Sequence, residues 1–94
     1  MSRSDDIWIL GIHMTKFGKH PNLDVVALGA EAIQGALADA GVTMADIGIL
    51  AAGTLLGSGS IAQQLQKQVG QTGIPAYNVS NACATGATAL RTAI

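Results

Sequence analysis

Ala76-Tyr-Asn-Val-Ser-Asn-Ala-Cys-Ala-Thr-Gly-Ala-Thr-Ala-Leu-Arg-Thr-Ala-Ile94 is the stretch on which the fold turns. Its first part, Ala76–Ser80, reads as a short strand set off by the turn residues of Gly73-Ile-Pro75. From about Ala82 to the last residue the pattern becomes that of a helix made almost wholly of small or apolar residues, with Arg91 as its one charge. A helix without a polar face is a buried helix, and a slender one lets its neighbours come close. No Gly or Asn cap and no trailing Pro closes it. The reading is therefore of a helix cut rather than ended, in a partial domain (residues 1–94) that continues beyond residue 94 or is completed by a partner.

Upstream, the same alternation repeats. Ile7-Trp-Ile-Leu-Gly-Ile12 is a nearly continuous apolar run, as expected of a strand buried on both faces. After a loop over Thr15–Pro21, a helix runs from Asn22 or Leu23 to Ala40, with Val25, Leu28, Gly29, Ala32, Ala36 and Ala40 on one face and Ile33 and Leu37 at its edge. Gly41 stands where a helix-terminating residue takes positive φ. Thr43 and Asp46 have the spacing of a capping box around a single turn. Ile47–Ala52 reads as a second strand, and Gly53–Ser60 as a Gly/Ser loop. Ile61, Gln64, Leu65, Gln68 and Val69 follow helical spacing up to Gly70. The order β-α-β-α-β-α gives an α/β fold with parallel strands and right-handed crossovers.

Composition narrows the class. Hydrophobic residues make up 49% of the 94 and charged residues 12%, against about 25% charged in an ordinary soluble domain. Such a chain has too little polar skin for its size, so part of its surface is expected to be covered. A net charge of −1 with five scattered basic residues offers nothing to gather phosphates, which argues against nucleic-acid binding. One cysteine excludes an intrachain disulfide framework and a Cys-cluster zinc site, and fits a reducing, cytoplasmic setting. The opening residues lack a signal-peptide layout, and no apolar run approaches the roughly 18 residues of a membrane span.

Few residues could carry chemistry. Cys83 sits between the third strand and the last helix, where orphan amides and the helix dipole favour a thiolate and can hold an oxyanion. Ala84 and Gly86 leave room for a substrate carbonyl. A strand-turn-helix nucleophile elbow has the same logic. A lone Cys among alanines is equally a small core hydrophobe, and position alone leaves both readings open. Gly53–Ser60 lacks the lysine and spacing of a P-loop and reads as a plain connection. His13 and His20 read as ordinary surface or loop residues, Asp5, Asp6 and Asp24 as solvated or capping carboxylates, and Met14 and Met44 as packing residues.

Asn78-Val-Ser-Asn-Ala-Cys-Ala-Thr-Gly-Ala-Thr-Ala-Leu90 resembles the nucleophile segment of thiolases, particularly the branch related to the sterol-carrier-protein-x thiolases. Gly11-Ile-His-Met-Thr-Lys-Phe17, Ala27-Leu-Gly-Ala-Glu-Ala-Ile33 and Ala38-Asp-Ala-Gly41 resemble the same branch. The resemblance implies a five-layer α-β-α-β-α fold in which the helix after Cys83 lies between two sheets. It implies that Cys83 takes the acyl group from a 3-ketoacyl-CoA and passes it to CoA, or runs the reverse Claisen condensation. No cofactor is then needed, because CoA is a substrate. It implies a homodimer or homotetramer formed through strand Ala76–Ser80. The activating histidine and the second acid/base of that family have no counterpart here, so residues 1–94 alone are expected to be inactive. A ketoacyl-synthase-like or retro-aldolase relative, or a non-catalytic partner subunit, is the alternative on the same residues.

Overall fold

A computed structural model describes residues 5–56 and 59–94. Met1–Ser4 of the opening and Gly57 and Ser58 of the Gly/Ser loop lie outside the described residues. In chain order the elements are α1 (Val25–Ala40), β1 (Leu50–Gly53), α2 (Ile61–Val69), β2 (Ala76–Val79) and α3 (Thr85–Ala93). Single 3-10 turns, Met44–Asp46 and Ala82–Ala84, precede β1 and α3. β1 and β2 pair in parallel, Leu50 opposite Ala76 and Gly53 opposite Val79.

Local chemistry sets the boundaries. Asp24 caps α1, its Oδ1 accepting from the Ala27 N–H at 2.7 Å, so the helix starts two or three residues later than its sequence pattern suggests. Gly41 ends it at φ 72°, with its N–H bonded to the Ala38 carbonyl. The Asp46 carboxylate accepts from the Thr43 N–H at 3.0 Å, as the capping-box spacing requires. β1 begins at Leu50 rather than Ile47. The register would set Ile49 opposite Pro75 and Ile47 opposite Gly73; Pro75 has no N–H to give the ladder, and Gly73 turns at φ 81°. The first inter-strand bond is accordingly Leu50 N–H to the Pro75 carbonyl, 3.0 Å.

The core forms where α1 and α2 cross β1. Ala30, Ile61 and Leu65 are its buried centre, with Val26, Ile33, Leu50, Ala52 and Val69 packed around them. Full burial of a Leu or Ile side chain stabilises by about 1.5–3 kcal/mol, so Ile61 and Leu65 contribute most. The inward face of α1 is rotated from the expected one: Gly29 and Ile33 meet the core as expected, Val26 and Ala30 join them, and Val25 is exposed. Glu31, Gln34 and Asp39 leave α1 a broad apolar face, and contact with Leu65 of α2 selects the part of it that turns inward. On α2, Gln64 and Gln68 are exposed and Gln66 is buried, its Nε2 donating to the Ile74 carbonyl at 2.9 Å.

Asn78 adds a tie that helical spacing does not reveal. α2 has no capping bond from Ser60. Instead Asn78 of β2 reaches across, its Oδ1 accepting from the Ala62 N–H at 2.7 Å and its Nδ2 donating to Gln63 Oε1 at 2.8 Å. One of the helix's orphan amides is thus satisfied from the neighbouring strand.

Successive strand residues face opposite ways. Leu50 and Ala52 meet the α1–α2 core, while Gly53 meets α3 on the other side. The layers are therefore helices, sheet, helix. The α/β class with parallel strands stands, but two expectations change. Ile7–Ile12 joins no ladder among the described residues. It lies against α1, held by the Ile12 N–H on Asp39 Oδ2 (2.9 Å) and by the His13 ring on Gly35. An apolar groove of about 710 Å³ separates its Ile7–Gly11 from Ile49–Ala51 at the edge of β1. The helix after Cys83 is covered on its sheet side only: Thr85 is buried, while Leu90 and Ile94 are exposed. One sheet covers one face of a helix, and the described residues hold one sheet. Met44 packs as expected, but Met14 is exposed.

A Cβ placed on Gly53 would stand 2.3 Å from Thr85 Cγ2 and 3.1 Å from Val79 Cγ2. Gly53→Ala should therefore lower unfolding free energy by about 1–3 kcal/mol, the usual range for overpacking, as read from urea denaturation; an unchanged midpoint would show that α3 is free to move off the sheet.

Candidate active site

Strand β2 delivers the chain to Asn81, and the next three residues form the turn that starts α3. Ala82 lies at φ 48°, the one non-glycine residue in the left-handed region among those described. An L-residue avoids this region because its Cβ crowds the backbone, so surrounding bonds must hold it there. Three do. Thr85 Oγ1 donates to the Ala82 carbonyl at 2.7 Å and accepts from the Asn81 N–H at 2.8 Å. The Ala84 N–H donates to the Asn81 carbonyl at 2.9 Å. A further bond, Asn81 Nδ2 to Thr88 Oγ1 at 3.0 Å, fastens the turn to the next turn of α3.

The result is that Cys83 stands exposed at the head of α3. Among the described residues no side chain covers it. Ala82, Ala84 and Gly86 beside it are exposed and small, and a Cβ built on Gly86 meets nothing within 4 Å. The approach to the thiol is open. The Ala84 and Thr85 amides are engaged with the Asn81 and Ala82 carbonyls.

No base joins this thiol from within the chain's two imidazoles. His13 contacts α1, with Nε2 3.7 Å from Glu31 Oε2 and its ring on Gly35. His20 Nε2 lies 2.7 Å from the Lys16 carbonyl in its own loop. Among the described residues no three His, Cys, Asp or Glu side chains gather into a metal-ligating group, and no helix is long and apolar enough to cross a membrane. A second, smaller cavity of about 220 Å³ opens at the carboxyl ends of both strands, lined by Thr54, Ile61, Asn78 and Ser80 among others.

Comparison with known proteins bears on what the turn is for. A family model described as "Thiolase, N-terminal domain" matches residues 7–94. The chain belongs to the thiolase family. Within it, the chain is similar to sterol carrier protein 2 of Gallus gallus, 40% identical over 87 residues that cover 89% of this chain and 16% of that protein. It is similar to non-specific lipid-transfer protein-like 2 of Caenorhabditis elegans, 39% identical over 87 residues, 89% of this chain and 21% of that protein. It is also similar to the acetyl-CoA acetyltransferase of Methanothermobacter thermautotrophicus, 35% identical over 94 residues, 95% of this chain and 24% of that protein. This thiolase-family chain thus spans between 16% and 24% of the length of these curated relatives.

Sequence reasoning placed Cys83 in the right turn but missed the residues that build it. Thr85, Asn81 and Thr88 carry the signal only as Ser/Thr/Asn clustered around a helix start, a pattern that favours local side-chain bonds to backbone. Ala82→Val should lower stability by about 1–2 kcal/mol, because a β-branched side chain is an outlier at positive φ. Ala82→Gly should stay within about 0.5 kcal/mol of the parent. Equal losses for both, by thermal denaturation, would show that φ at residue 82 is not the constraint.

Proposed function

We propose that this chain is the nucleophile-bearing part of a thiolase-type acyl-CoA acyltransferase, with Cys83 as the acyl acceptor. The observation that carries the reading is an exposed thiol at a helix start, held on a turn with a left-handed residue before it, inside the thiolase match. Strain at a single backbone position accompanies functional sites often enough to motivate the assignment.

In the proposed reaction the Cys83 thiolate attacks the 3-keto carbonyl of a 3-ketoacyl-CoA, and the C2–C3 bond breaks. The electron pair leaves on C2, which takes a proton to give acetyl-CoA or propionyl-CoA. The shortened acyl group remains on Sγ as a thioester. The thiolate of a second CoA attacks that thioester, releasing the new acyl-CoA and restoring Cys83. In reverse the same steps form a carbon–carbon bond. CoA enters as substrate, and no metal or organic cofactor is assigned. The Cys83 backbone amide is the proposed donor to the oxyanion, since the next two amides are engaged in the turn.

A thiol without a base is a poor acyl acceptor at neutral pH. The activating imidazole and the acid/base group are therefore assigned to residues outside 1–94. The edge of β2 that faces away from β1 is assigned to a subunit contact in a homo-oligomer, and the protein to the cytoplasm. Loss of the nucleophile of a catalytic unit costs roughly 10³-fold or more in kcat. Cys83→Ser in the protein carrying this segment should abolish thiolysis of a 3-ketoacyl-CoA to that degree, followed by absorbance of the enolate complex. Retained thiolysis would rule out Cys83 as the acyl acceptor.

A further inference from the structure

We infer that Thr85 is a positioning residue for Cys83: its hydroxyl, not its bulk, holds the Asn81–Ala84 turn in the geometry that presents the thiol. The role in catalysis rests on Cys83 being the nucleophile; the role in presenting the thiol does not. Thr85 is a buried polar residue with 8% of its surface exposed, and its hydroxyl is satisfied on both sides. As donor it holds the carbonyl of Ala82, the residue at φ 48°. As acceptor it holds the N–H of Asn81, the residue before. One oxygen therefore ties the Ser80–Asn81 peptide unit to the Ala82–Cys83 unit, across the one between them. The methyl group serves a separate purpose, filling the space beside Gly53 and fixing α3 against β1.

The two halves of the side chain can be separated by substitution. Thr85→Val keeps the shape and removes both hydrogen bonds; Thr85→Ser keeps both bonds and removes the methyl. With the hydroxyl gone, the Ala82 carbonyl and Asn81 N–H lose their shared partner and the left-handed residue loses its main restraint. With only the methyl gone, packing on β1 weakens while the turn persists.

The rate constant for alkylation of Cys83 by iodoacetamide, measured by mass spectrometry on the protein carrying this segment, reports presentation of the thiol whatever reaction the protein performs. It should change by about fivefold or more in Thr85→Val, the factor expected for loss of a hydrogen bond, and stay within about twofold of the parent in Thr85→Ser. A Thr85→Val rate equal to the parent, or a Thr85→Ser rate shifted as far as that of Thr85→Val, overturns the inference. Where Thr85→Val does not fold, amide exchange at Asn81 in the parent and in Thr85→Ser decides instead. Slow exchange in both supports the bridge, and exchange at the rate of a free peptide in either overturns it. Failure of acyl transfer to Cys83 in the parent, with the alkylation pattern intact, would remove the thiolase reading and leave the positioning role standing.

Discussion

The Thr85 hydroxyl bridge is the contact on which the rest of the site depends. A parallel strand must hand its chain to a helix within a few residues, and here it does so through one residue in a region that alanine avoids. A buried hydroxyl that lost its partners would be destabilised by about 1–3 kcal/mol, and a relaxed φ at Ala82 would redirect everything after it. The bridge meets both demands with a single oxygen. The methyl of the same side chain accounts for Gly53 opposite, since it occupies the volume that a Cβ at position 53 would take. Among the described residues no buried side-chain polar atom is left without a partner, so the turn is held without a compensating defect nearby.

From that turn the layers follow. β2 is fixed to α2 through Asn78 and to α3 through the Asn81–Thr85 bonds, so one strand orients a helix on each side of the sheet. The apolar surface not used by these contacts is large. Ile7, Trp8, Ile9 and Leu10 on the N-terminal segment, and Leu90 and Ile94 on and just after α3, are all exposed. Scattered apolar residues on a surface need no explanation, but contiguous ones are sites of further contact. That agrees with the proposal that the catalytic partners of Cys83 come from outside these residues.

Much of this was legible in the sequence. Helix ends marked by Gly41 and Gly70, the capping-box pair Thr43 and Asp46, and the strand at Ala76 are local signals with local causes, and they lie where the pattern puts them. What was not legible depended on neighbours. Within the broad apolar face of α1, the part turned inward was set by contact with Leu65. The start of β1 was set by Pro75 on the other strand. Ile7–Ile12 has the composition of a strand, yet a strand exists only where another edge pairs with it. At the site, the position of Cys83 could be read from strand-turn-helix order, and its role only from resemblance. The bonds of Thr85 and Asn81 that present it are tertiary facts, hidden behind residue types that occur at most helix starts.

The central claim is that Cys83 carries the acyl group, and covalent trapping tests it most directly. The protein carrying this segment would be mixed with a 3-ketoacyl-CoA in the absence of free CoA, quenched in acid, digested and mapped by mass spectrometry. The account predicts one acyl group, shorter than the substrate by the released acetyl or propionyl unit, on the peptide containing Cys83 and removable by added CoA. Thiolysis activity with no adduct on that peptide, or an adduct on a different residue, would contradict it.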